Sequence, residues 1–228
     1  MQKGTCGLDR CFLCRHCLPE WKNLVALKKN TFVFKKGKKI ISEGDPVQGI
    51  YFINEGSVKV SKKWGDQKEL IVRFAKGGDV LGHRGFGGDL HYPISATALE
   101  DCRVCFIDNA FLEDSLIANT QFTYKLMHVY AAELQKAERR MSDLAHREVK
   151  GRIALALFDI MDAFGVTDND FTSIPISRQD IASYAGTTYE TVFKFFVQLS
   201  EKNILTTSSK NIRINDHVAL QAFITQQV

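Results

Sequence analysis

Residues 176–205 read ISRQDIASYAGTTYETVFKFFVQLSEKNIL, and the order of signals in this stretch predicts two short helices joined by a tight turn. Ser177, with Asp180 three residues on, marks a helix start, because a serine hydroxyl accepts from a free amide of the first turn. Ile181, Ala182 and Ala185 then fall on one inner face. Gly186 ends this helix, and Thr187 or Thr188 caps the next, which runs from Tyr189 to about Ser200 with Val192, Phe196 and Leu199 inward. Ala182 stands where two closely crossing helices need a small side chain, so the layout is a helix-turn-helix. Lys210–Ile214 (KNIRI) reads as a hairpin strand, the wing of such a domain. Thr188, Tyr189, Glu190 and Lys194 face outward on the second helix, and Arg178 and Gln179 open the first. Glu accepts from cytosine N4, Lys donates to guanine O6 or N7, and Thr, Tyr and Arg reach phosphates and nearby bases. Phe193 either meets a thymine methyl or packs inward. The plain alternative is a helical bundle whose polar face binds protein.

Upstream, Glu148 to Phe164 reads as a helix with Ile153, Leu157, Ile160 and Met161 on its inner side. From Phe122 to Leu144 there is neither Gly nor Pro, and Met127, Tyr130, Leu134, Ala137, Met141 and Leu144 recur at alternating intervals of 3 and 4. That rhythm is a seam two copies can share as a coiled coil. Polar Gln135, Lys136, Glu138, Arg139, Arg140 and Asp143 flank it, which favours a dimerisation helix over a buried one. Between Thr31 and Asp108 the pattern is β-rich. Ile50–Ile53 and Val58–Val60 are expected to form a hairpin through Asn54-Glu55-Gly56-Ser57, and Lys68–Phe74 follows the turn signal Gly65-Asp66. The lysines at 28, 29, 35, 36, 38 and 39 read as solvated edge and loop positions. The expected class is α+β, in four parts. These are a Cys-rich segment (1–29), a β-barrel or jelly roll sensor domain (30–110), a long dimerisation helix (111–145) and a winged helix-turn-helix (146–228).

Hydrophobic residues make up 45% of the 228 and charged residues 25%, ordinary values for a globular chain. No apolar run approaches the ~20 residues of a membrane span, and Cys, Arg, His and Glu interrupt what would be a signal-peptide core. The expected compartment is the cytoplasm, with no membrane partner. A net charge of +4 permits nucleic-acid binding without requiring it. Of the 6 cysteines, four lie in CGLDRCFLCRHCLPEW, residues 6–21. In a reducing compartment such clusters bind metal or respond to redox. Cys11, Cys14 and Cys17 have two residues between neighbours, a spacing that suits an iron–sulfur cluster. A zinc site that includes His16, a reversible disulfide and a leader without function are the other readings. No Ser-His-Asp arrangement, Gly-rich phosphate loop or HExxH is visible, and His83, His91 and His128 are scattered, so no enzyme is expected.

EGDPVQGIYFINEGSVKV (43–60), GGDVLG (77–82), GRIALAL (151–157) and ISRQDIASYAGTTYETV (176–192) together resemble the CRP/FNR family of bacterial transcription regulators over nearly the whole chain. The resemblance implies a barrel like a cyclic-nucleotide-binding domain, a homodimer, a palindromic double-stranded DNA site and RNA polymerase as partner. The cyclic-nucleotide branch uses Gly-Glu and Arg-Ser pairs. Here His83 follows Gly82, and Tyr92-Pro93 or Pro93-Ile94 stand in place of the Arg pair. Cyclic nucleotide binding is therefore not expected, and Gly82, His83, Arg84 and Tyr92 remain candidates for another effector pocket. The region looks instead like the oxygen-responsive FNR branch, which implies a [4Fe–4S] cluster on three N-terminal cysteines and one in a Val-Cys-x-Ile barrel strand. Val104-Cys105-Phe106-Ile107 matches that strand, and Cys17-Leu18-Pro19 matches the last N-terminal ligand. The implied set is Cys11, Cys14, Cys17 and Cys105. The branch spaces its ligands by two and then five residues, and position 8 here is Leu, so Cys6 or Cys14 substitutes. Cys102, three residues from Cys105, is expected to face the other way. The implied signal is redox, oxygen or nitric oxide. Zinc, a disulfide switch or another small effector are the alternatives. The family's usual Ser-Arg or Gly-Arg is Phe193-Lys194 here, and Lys lacks the Arg fork, so the preferred half-site should differ.

Overall fold

In a computed structural model that describes residues 2–3 (backbone), 11–65, 68–173 and 176–225, the β-rich half folds as two antiparallel sheets. The first sheet runs in the order β1 (Gln2–Lys3), β2 (Asn30–Phe34), β9 (Cys102–Asp108), β4 (Gly49–Glu55), β7 (Val80–Leu81). The second runs β3 (Lys39–Ile41), β8 (Ser95–Ala98), β5 (Ser57–Trp64), β6 (Lys68–Lys76). Central β4 is buried at Ile50, Phe52 and Ile53, so the strict alternation of a half-exposed strand is lost there. The expected β4–β5 hairpin does not form: β4 pairs with β9 and β7, and β5 belongs to the other sheet. Gly56 makes a corner instead, at φ +95°, where a Cβ would lie 2.6 Å from Cys102 Sγ and 2.8 Å from a backbone oxygen. A Gly-rich tight turn serves a hairpin and a corner equally well. The partner strands, distant in sequence, decide between them.

Two short helices, α1 (Phe12–His16) and α2 (Lys22–Lys28), precede the sheets, and α3 (Asn109–Ala118) and α4 (Thr120–His146) follow. Asp108 caps α3 by accepting from the Phe111 amide at 2.8 Å, and the Asn119 side chain accepts from the Phe122 amide at 3.1 Å. α4 is 27 residues long, as the uninterrupted helical pattern predicts. Phe122 and Leu126 are buried in one cluster with Phe12, Leu13, Phe52 and Phe111. One turn on, the Tyr130 hydroxyl donates to the His83 carbonyl at 2.6 Å. Glu133 then receives three basic side chains. Arg73 pairs with Oε1, while on Oε2 the His83 ring donates at 3.0 Å and Arg84 Nη2 at 2.9 Å. Burial alone would raise the Glu133 pKa. The hydrogen bond from His83 and the charges of Arg73, His83 and Arg84 overcome it and hold the group down at about 2.

The remaining elements are α5 (Val149–Phe164), α6 (Arg178–Ala185), α7 (Tyr189–Glu201), the hairpin β10 (Leu205–Ser208) and β11 (Asn211–Ile214), and α8 (His217–Thr225). Ile153, Leu157 and Ile160 of α5 are buried as expected, and Met161 is half-buried. The chain divides into two units, residues 1–63 with 73–135 and residues 64–72 with 136–228.

Replacing Glu133 with Ala leaves Arg73, His83 and Arg84 facing one another without an anion, and should cost about 3 kcal/mol in chemical denaturation at neutral pH. Its folded pKa lies below the ordinary 4.5, so its contribution is complete above about pH 4.5 and fades as pH falls toward 2. The stability difference between wild type and Glu133→Gln should shrink across that window. A difference that stays constant from pH 6 to 3 would refute the assignment.

Candidate functional site

The helix-turn-helix forms as its caps dictate. Ser177 Oγ accepts from the Asp180 amide at 3.0 Å, and Thr188, not Thr187, caps α7 by accepting from the Thr191 amide at 3.3 Å. Gly186 closes α6 in the left-handed region (φ 63°, ψ 47°), and a Cβ there would come within 2.8 Å of Leu144 Cδ2. Ala182 is fully buried at the helix crossing, with Val192, Phe195, Phe196 and Leu199 beneath α7. Arg152 Nε donates to the Ala185 carbonyl at 3.0 Å, and the Tyr184 hydroxyl donates to Asp159 at 3.0 Å, fastening α6 to α5.

This scaffold turns Thr188, Tyr189, Glu190, Phe193, Lys194 and Val197 toward solvent. Glu190 has a lowered pKa, first from its own backbone amide at the helix start, then from the Thr188 hydroxyl and the charge of Lys194. It is therefore ionised and purely an acceptor at neutral pH. Arg178 is half-buried, its guanidinium carbon 5.9 Å from the Phe193 ring centre and 5.4 Å from that of Phe196. Gln179 is exposed. Arg178, Gln179, Tyr189 and Lys210 line one cleft between the helix starts and the hairpin. Three of the six expected DNA-contacting residues thus share a surface with the wing.

The barrel candidates separate. His83 and Arg84 meet on Glu133. Tyr92 lies apart from that group, donating to the Gly49 carbonyl at 2.8 Å and accepting from the Gln48 amide at 3.3 Å. Gly82 lies against Tyr92, where a Cβ would be 3.1 Å from the ring. Cys11, Cys14, Cys17 and Cys105 are all buried in the cluster that contains Phe122 and Leu126. Cys11 Sγ is 3.3 Å from Cys14 Sγ, Lys29 Nζ is 3.4 Å from Cys14 Sγ, and Cys105 Sγ is 3.8 Å from Thr31 Oγ1. Cys17 has a raised pKa, chiefly from burial. Cys102 is also buried but outside the cluster, against the Ser57 carbonyl at 3.2 Å, with its pKa pushed up to about 11 by burial. Cys6 lies outside the described residues. Among the described residues, no group of three or more His, Cys, Asp or Glu side chains is arranged to hold a metal ion.

A family model described as "Cyclic nucleotide-binding domain" matches residues 31–119, and one described as "Crp-like helix-turn-helix domain" matches residues 151–223. The chain belongs to the CRP/FNR family of transcription regulators. It is 27% identical to the transcriptional activator protein FnrA of Stutzerimonas stutzeri over 93% of this chain and 90% of that protein. It is 26% identical to the fumarate and nitrate reduction regulatory protein of Vibrio cholerae, covering 96% and 92%. The solved structure of FixK2 from Bradyrhizobium japonicum superposes with a TM-score of 0.75 at 26% identity, covering 88% of this chain and 99% of that one. These relatives are regulators of transcription, so this CRP/FNR chain is a DNA-binding regulator and not an enzyme.

Sequence reasoning missed two parts of the CRP/FNR architecture here. Glu133 stands among polar residues on a long helix and carries no local mark of burial, and Arg73 lies in a strand that alternates poorly. Lys29, read as a solvated lysine, instead reaches Cys14.

Removing the Ser177 hydroxyl frees one amide of α6, so Ser177→Ala should lower unfolding stability by about 1 kcal/mol, with Ser177→Asp recovering most of it. An unchanged denaturation midpoint for the alanine variant would count against the cap.

Proposed function

We propose that this chain is a homodimeric, sequence-specific regulator of transcription in the cytoplasm, gated through its N-terminal cysteines by redox state, oxygen or nitric oxide. One observation carries the gating: the thiols of Cys11, Cys14, Cys17 and Cys105 share a buried cluster with Phe122 and Leu126, the first turns of α4. A change of chemistry at the thiols therefore bears on the helix that carries the dimer seam. Leu134 and Met141, at 61% and 64% exposure, together with Met127 and Ala137, lie open to solvent on that helix and supply the face for a second copy. Tyr130 and Leu144 are only partly available to it, being engaged with His83 and the Gly186 turn respectively. A dimer brings two α7 helices to half-sites one turn apart, ~34 Å, on a palindromic duplex. Glu190 and Lys194 read base edges, and Thr188, Tyr189, Arg178 and Gln179 set the domain on phosphates and nearby bases. RNA polymerase is the protein partner the family implies.

The donor set fits an iron–sulfur cluster in its chemistry. Thiolates are the ligands such clusters take, and four thiols of this chain lie in one buried cluster. Cys11, Cys14, Cys17 and Cys105 would hold it, with Cys6 as a substitute. When bound, the cluster supplies an oxygen-sensitive redox group. The Cys11–Cys14 separation of 3.3 Å supports a second reading, a reversible disulfide between these two thiols. Cyclic nucleotides are not the expected effector: Arg73, His83 and Arg84 are already engaged by the Glu133 carboxylate, which leaves none of them free to receive a phosphate.

Protein purified anaerobically should contain iron and acid-labile sulfide in near-equal amounts. Cys105→Ser should abolish that content, and Cys102→Ser should leave it intact. Colourless, iron-free wild type in which peroxide joins Cys11 to Cys14 would favour the disulfide. Leu134→Lys should convert the dimer to monomer and weaken binding to a palindrome at least tenfold, while a variant that remains dimeric would refute the seam.

A further inference from the structure

Phe193 has no place in the core. It is 47% exposed in the middle of α7, and Tyr189, one turn earlier, is 41% exposed with its ring 6.3 Å away at an interplanar angle of 22°. The Arg178 guanidinium carbon lies 5.9 Å from the centre of the Phe193 ring. Glu190 and Lys194 immediately flank the aromatic pair on the same outward surface. A phenyl ring left partly open to water forgoes some of the hydrophobic gain that burial brings. Here the ring has Tyr189 and Arg178 as neighbours and stands among polar residues.

We infer that Phe193, with Tyr189 and Arg178 as neighbours, is a specificity-determining residue that reads the 5-methyl group of thymine in the major groove. The inference rests on α7 being the DNA-reading helix. The thymine methyl is the one apolar group that a base edge presents in that groove, and an aromatic side chain matches it by burial rather than by hydrogen bonding. The surroundings favour duplex DNA over an apolar protein surface as the occupant. Lys194 lies beside the pair, Arg178 behind it, and Lys210 on the shared cleft, so the apolar patch is rimmed by cations that suit a phosphate backbone. Glu190, an acceptor only, selects a base-pair amino donor next to that methyl, so the two side chains together specify adjacent positions of a half-site.

The test removes methyl groups and nothing else. A preferred duplex is selected from a random pool with the intact protein, and each thymine of the half-sites is then replaced in turn by deoxyuridine, which keeps the base pairing. Wild type should lose about fourfold in affinity at one thymine per half-site, the equivalent of ~0.8 kcal/mol for a buried methyl group. Phe193→Ala, whose folding is checked by circular dichroism because the ring is exposed, should bind thymine and uracil duplexes equally. Phe193→Leu should retain part of the preference. Equal wild-type binding to both duplexes, or an undiminished preference in Phe193→Ala, overturns the inference while leaving DNA binding intact. Failure to select any duplex, with no salt-dependent binding, overturns the underlying reading instead.

Discussion

Glu133 draws Arg73 from β6 and His83 and Arg84 from the turn after β7 onto a single carboxylate, and so ties the sheets to the first half of α4. Taking a carboxylate and its cations from water is costly, and the cost is offset only where each charge keeps its partners. That asymmetry makes the contact a strong constraint on geometry, whatever its net contribution. Phe122, Leu126, Tyr130 and Glu133 are spaced by 4, 4 and 3 residues, so they share one face of the helix. Met127, Leu134 and Met141 recur every 7 residues on another face. Fixing the rotation of the helix through Glu133 therefore fixes which apolar residues stay outside. A helix held only by Phe122 and Leu126 could roll on its apolar contacts. A hydrogen-bonded carboxylate cannot.

The same inward face meets the cysteine-bearing segment. Cys11, Leu13 and Cys14 lie in the buried cluster with Phe122 and Leu126, so the thiols are part of the core that seats α4. In such packed surroundings a change at sulfur is felt as a change of fit, because interiors lack the free volume to absorb it. Gating proposed through these thiols then needs no separate lever. On that proposal, a ligand or oxidant that favours one packing of the segment would shift the seating of the helix by no more than its preference for that packing over another.

What the sequence made legible was local. Ser177 and Thr188 announce helix starts, Gly186 announces a left-handed stop, and the interruption-free run through α4 announces a long helix, because each signal acts within a turn or two. The Val-Cys-x-Ile strand placed Cys105 on the side of the N-terminal segment and Cys102 on the other, as a period of two requires. What it concealed was long-range. The corner at Gly56 depends on strands about 50 residues away, and Glu133 looks like any solvated glutamate until a strand and a turn from elsewhere bring two arginines and a histidine to it. Phe195 was missed for a related reason. α7 carries three phenylalanines within four residues, and periodicity alone does not say which two turn inward.

That last ambiguity bears on recognition. Phe195 and Phe196 are buried and anchor α7, so Phe193 is the aromatic residue left over, set between Glu190 and Lys194 on the outer surface. With a chain charge of only +4, attraction to phosphates is modest, and on the proposed reading of α7 discrimination among duplexes rests on the base-edge contacts of a few side chains. Positions 190, 193, 194 and 197 follow the i, i+3, i+4, i+7 spacing of a single helical face, carrying in turn an acceptor, an aromatic ring, a donor and a valine. An acceptor and a donor alone define two hydrogen-bonding positions and tolerate much of what lies between them. On the proposed reading, an apolar ring between them does not, because a polar base edge pressed against it loses its water without gaining a partner.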